Sequence, residues 1–119
     1  MKKTLVLFLF IAGHLFSQNV AFVHPLDFKN TEVDKEKVLK YIVQNVKDTY
    51  SKIGMDSPST LRMMEAEELD SFKKLSNVTN RTLLDKVIVT YCNIGMCNYS
   101  TIWMMYNEES QAEQQELKW

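Results

Sequence analysis

From Glu32 onward the apolar residues of this chain recur at intervals of three and four. Leu39, Val43, Val46, Tyr50 and Ile53 step by four, three, four and three, with Val38 and Ile42 widening the stripe. That spacing predicts an α-helix with one apolar face, because successive turns bring such positions into line. Thr31 or Asp34 supplies an oxygen to cap its start, and Gly54 suits its end, where a left-handed residue is favoured. A second helix is expected after Ser57-Pro58, an N-cap followed by the position where proline's missing N–H costs nothing. Leu61, Met64, Leu69, Phe72 and Leu75 line it. Glu65, Glu67 and Glu68 lie early and Lys73 and Lys74 late, which complements the helix dipole.

Residues 83–106 read two ways. Leu83, Leu84, Val87, Ile88, Tyr91 and Cys92 recur as adjacent pairs every four residues, a helical stripe that Thr79 or Asn80 caps. Yet KVIVTY is rich in β-branched and aromatic residues, which favour strands. Gly95 as a helix stop, and the uninterrupted run IWMMYNEESQAEQQELKW, favour helices. In that run Ile102, Met105, Tyr106, Ala112 and Leu117 roughly share a face. The expected fold is therefore all-α, a small bundle of about four helices. The alternative is α+β, with a β-hairpin at about 85–106 turning through NIGM. No internal repeat is expected.

The N-terminus, MKKTLVLFLFIAGHLFSQNV, has the order of a secretory signal peptide: Lys2 and Lys3, an apolar run, then small Ser17. The run is too short to cross about 30 Å of hydrocarbon, and His14 interrupts it. Residues 1–17 are read as a cleaved signal, 18–31 as an extended leader and 32–119 as one small helical domain. The expected location is periplasmic or secreted. Of fourteen basic and fifteen acidic residues the signal holds Lys2 and Lys3 alone, so the exported chain carries a formal charge of −3. With no basic stripe, nucleic acid is not an expected partner, and no stable membrane anchor is expected after cleavage.

Export also bears on the cysteines. Cys92 and Cys97 are the only two, and an exported chain with an even number is expected to oxidise them. A structural zinc site needs four N or S ligands, whereas the exported chain offers two cysteines and His24. No metal or cofactor is expected.

No GxSxG, HExxH, phosphate-cradling or dinucleotide-binding motif occurs. Glu65 and Glu68 share a helix face and are the only carboxylate pair that suggests acid–base chemistry. The richer signal is apolar. The pairs Met63-Met64 and Met104-Met105 lie near Tyr99 and Trp103, and Trp119 ends the chain. Methionine adapts to varied apolar surfaces. Met63, Met64, Tyr99, Trp103, Met104 and Trp119 are therefore the candidate binding residues, with Met63 and Met104 expected to face outward and Trp119 expected to fold back on the domain. The expected function is non-catalytic binding of a protein partner, as an accessory, inhibitor or immunity-like factor. The alternatives are a carrier of a small apolar ligand held between helices and a carboxylate-based enzyme.

Overall fold

The computed structural model describes residues 20–119, so the signal-peptide reading of residues 1–17 lies outside the described residues. Four helices follow a short 3-10 turn at Pro25–Asp27: α1 at Glu32–Ser51, α2 at Pro58–Leu75, α3 at Arg81–Cys92 and α4 at Tyr99–Ala112. The described residues contain no strand, so 83–106 is a helix, a turn and a helix. Side-chain oxygens start every helix, as Thr31, Ser57, Asn80 and Asn98 each accept an N–H from the residue three ahead. KVIVTY lies in α3, where the Asn80 cap satisfies an amide that would otherwise be orphaned and so favours helix over strand.

Helix α2 packs against both α1 and α4, and α4 against α3. The core runs through Val38, Ile42 and Val46 of α1, Phe72 and Leu75 of α2, Leu84 of α3, and Tyr99 and Ile102 of α4. The leader completes it. Val20, Phe22, Val23, Leu26 and Phe28 pack against the core, and the ring of Phe22 lies 5.4 Å from that of Tyr41 and 5.1 Å from that of Tyr99. His24 caps the 3-10 turn by accepting the N–H of Leu26 at Nδ1. Its Nε2, which then carries the proton, donates to Asp85 at 2.6 Å. Arg81 reaches Asp27 at 2.9 Å, so the leader is tied to α3 as well.

Two expectations are corrected. The buried face of α1 is Val38, Tyr41, Ile42 and Val46, while Leu39, Val43 and Ile53 of the anticipated stripe are 47%, 46% and 62% exposed. Neighbouring residues 38/39 and 42/43 are both apolar, so spacing alone fits two faces. Tyr41 decides between them, because its ring joins the aromatic core and its hydroxyl donates to the Cys97 carbonyl. Secondly, α4 stops at Ala112 and leaves Leu117 and Trp119 fully exposed. Glu108 and Glu109 occupy its last turns with no basic residue, so like charges meet the negative end of the helix dipole.

A third correction is larger. YSKIGMDSPSTLRMM at 50–64 matches YCNIGMCNYSTIWMM at 91–105, with eight of fifteen residues identical. The structure repeats with it. In each copy the helix ends on a left-handed glycine, Gly54 at φ 72° and Gly95 at φ 81°. In each the methionine N–H donates back to the tyrosine carbonyl at 2.9 Å. The glycine N–H bonds to Ser51 in one copy and to Cys92 in the other, both at 3.2 Å. Helices α1–α2 and α3–α4 are thus two versions of one hairpin, 41 residues apart. The second tip is seated against the middle of the first hairpin, where the Cys97 carbonyl accepts from Tyr41 and Asn45 of α1 and Glu68 of α2 accepts the Tyr99 N–H.

Candidate functional site

The repeat sorts the exposed apolar residues. Ile53 and Ile94 are 62% and 63% exposed, and Met63 and Met104 are 62% and 55% exposed. Met55 and Met96 are about half exposed, at 52% and 43%. All six belong to the duplicated segment and form three identical pairs. Part of that identity is explained by the helix stop. Glycine supplies the left-handed turn, and an apolar residue after it commonly packs back onto the residue five before, here Tyr50 or Tyr91. Neither the stop nor the core requires Ile53, Ile94, Met63 or Met104. These four side chains are exposed at matched positions, two on each hairpin.

Of the other candidate binding residues, Met64 and Trp103 are partly buried against the core. Trp103 also has the Lys74 ammonium 5.8 Å from its ring centre. Trp119 stands free of the domain, contrary to the expected packing. Tyr99 is a correction, because it is wholly buried. Its ring lies 4.9 Å from Phe72 and 5.6 Å from Tyr41. Its hydroxyl donates to the Val23 carbonyl at 2.8 Å and accepts the Val23 N–H at 3.2 Å. Burial pushes its phenol far above the ordinary value, and that of Tyr41 upward too. Tyr99 is the centre of the fold and offers no surface to a partner.

The carboxylates offered for catalysis are held by the chain itself. Glu65 makes a paired contact with the Arg62 guanidinium, at 2.8 and 2.6 Å. Glu68 is 7% exposed and accepts the N–H groups of Tyr99 at 2.7 Å and Ser100 at 3.0 Å. It caps the N-terminus of α4 from the flank of α2, a role no local pattern reveals. Among the described residues, no group of three or more His, Cys, Asp or Glu side chains is placed to hold a metal.

Cys92 and Cys97 are joined as a disulfide across the second tip. The Cys97 carbonyl is an anchor between the halves, accepting the Tyr41 hydroxyl and the Asn45 amide, the latter at 3.2 Å. The repeat-related positions in the first tip are Ser51 and Asp56. A groove of about 730 Å³ lies between α1, α2 and Phe28 of the leader, and no local sequence pattern signals it.

No protein-family profile, curated protein or solved structure matches this chain.

Proposed function

We propose that this is a small exported protein that acts by non-catalytic binding of a protein partner, as an accessory, inhibitor or immunity-like factor. The observation that carries the reading is the identity and exposure of Ile53 with Ile94 and of Met63 with Met104. Four apolar side chains stay in water at matched places, where packing gives no reason to keep them. Exposed apolar anchors are what a partner would cover, and methionine accommodates a partner's shape. Trp119, standing free, adds an aromatic anchor of the type favoured at binding hot spots. Export is supported by the N-terminal sequence and by the Cys92–Cys97 pair, since disulfides persist in oxidising compartments.

Native mass spectrometry of the chain recovered from its host's exported fraction tests this. A companion polypeptide at fixed stoichiometry is expected. A bare chain at concentrations where the host fraction is intact would count against the reading.

A second reading, a carrier of a small apolar ligand between helices, is favoured by the groove between α1 and α2. Its volume lies in the range of small-molecule sites, about 300–1,000 Å³.

A further inference from the structure

The groove has a chemistry that narrows its ligand. Its apolar wall is Phe28, Val38, Leu39, Leu69 and Phe72. Leu39 keeps 47% of its surface in water on a helix whose core face lies elsewhere. The polar rim holds Lys35 and Lys73 with Asn30, Ser76 and Asn77. No carboxylate lines it, although acidic residues outnumber basic ones in the chain.

The rim groups are not equivalent. Ser76 Oγ and Asn77 Nδ2 both donate to the Lys73 carbonyl, at 2.7 and 3.0 Å, so they finish the end of α2. Lys35 lies 3.1 Å from Glu32. Lys74 is paired with Asp70, whereas Lys73 has no carboxylate within ion-pair distance among the described residues. The groove therefore joins an apolar trough to one uncompensated ammonium and a second that is partly compensated. A neutral apolar ligand would leave the Lys73 charge unmatched beside it.

From this charge complementarity we infer that the groove binds a free long-chain carboxylate, its acyl chain along Phe28, Leu39 and Leu69 and its head at Lys73 and Lys35. The inference rests on the carrier reading and gives it a ligand class. Its wall and its rim are both needed: acyl burial supplies affinity in proportion to apolar area, and the lysines select the head group.

The test uses the full exported chain, labelled with ¹⁵N and titrated with three twelve-carbon probes below their micelle concentrations. These are dodecanoate, dodecan-1-ol and dodecylammonium. Dodecanoate is expected to shift the amide signals of Phe28, Leu39, Leu69 and Lys73 with saturation at one equivalent. Dodecylammonium should bind most weakly. Lys73→Gln is exposed and should weaken dodecanoate about three- to five-fold, as expected for one partly solvated ion pair, while Lys47→Gln, away from the groove, should not. Equal affinity for dodecan-1-ol, or a Lys73→Gln variant that binds dodecanoate as tightly, overturns the carboxylate and leaves an apolar carrier. No saturable shift with any of the three overturns the carrier reading too, without touching the partner-binding reading.

Discussion

The carboxylate of Glu68 closes the N-terminus of α4 by accepting the N–H of Tyr99 at 2.7 Å, although the two residues lie 31 apart in sequence. It takes the Ser100 N–H as well. The repeat gives this contact a meaning. The residue that corresponds to Tyr99 in the first hairpin is Pro58, which has no N–H to satisfy. The residue that corresponds to Glu68 in the second is Glu109, which is exposed. The second helix of each hairpin therefore starts differently, one with a proline and one under a carboxylate from α2. Downstream of Glu109 the positions matching Phe72 and Leu75 are Glu113 and Glu116, so the second hairpin ends in a polar face. Repeat arrays close in this way.

Replacing Glu68 by Ala should therefore destabilise the fold by about 2–3 kcal/mol, the range for losing a buried, charge-assisted acceptor and stranding its donors. Glu68→Gln keeps one acceptor and turns an N–H toward the other donor, so it should fall between wild type and Ala. Urea unfolding followed by circular dichroism measures both. A loss below about 0.5 kcal/mol for Ala would show that water replaces the cap.

The disulfide holds a turn that the first hairpin builds without one. The double variant Cys92→Ser, Cys97→Asp copies the first tip's residues at these positions. It should retain the full helical spectrum and lose about 2 kcal/mol of stability, as expected when a short loop is freed in the unfolded chain. Loss of helicity on reduction would contradict the equivalence of the two tips.

Gly54 and Gly95 have open space where a Cβ would go, so an alanine meets no neighbour. Both sit at positive φ, which disfavours any side chain. Each Gly→Ala change should destabilise by about 1–2 kcal/mol, and the two values should agree within about 0.5 kcal/mol. Thermal or urea unfolding of the two single variants gives the comparison.

Alkali should unfold this protein through its buried phenols. Desolvation raises the Tyr99 and Tyr41 pKa values above the ordinary 10.0. A raised folded value favours the protonated, folded form. Its contribution is complete below pH 10.0 and falls as pH rises toward the folded value, because only the unfolded chain then releases the proton. Stability should thus drop above about pH 10. Part of the phenolate absorbance at 295 nm should appear only with loss of helical signal. Free titration of all the tyrosines at constant helicity would contradict this burial.

Much of the architecture is legible in the sequence, because caps and stops are local. Ser57-Pro58, Gly54 and Gly95 mark helix ends through the chemistry of single residues. The phase of α1 is not legible, because Leu39 and Val43 satisfy the spacing as well as Val38 and Ile42 do. Only the partners of the Tyr41 ring and hydroxyl choose between them. Tyr99 illustrates the opposite error. A tyrosine beside Trp103 and two methionines resembles a surface cluster, yet its neighbours in space are Phe22, Tyr41 and Phe72, from three distant segments. The duplication is written plainly in the Tyr-x-x-Ile-Gly-Met pairs. It is obscured in the apolar pattern because α1 is 20 residues long and α3 only 12.

The central claim is the proposal that the matched exposed side chains Ile53, Met63, Ile94 and Met104 bind the partner. The measurement that tests it most directly is the affinity of the co-purified partner for four forms of the chain. These are wild type, Ile53→Asn with Met63→Gln, Ile94→Asn with Met104→Gln, and all four changes together. All the altered side chains are exposed, so urea midpoints should stay close to wild type. Each two-residue variant should weaken binding at least ten-fold, and the four-residue variant should abolish it, because truncating apolar anchors at a contact removes more than about 1.4 kcal/mol. Wild-type affinity in the four-residue variant, with the fold intact, would contradict the account.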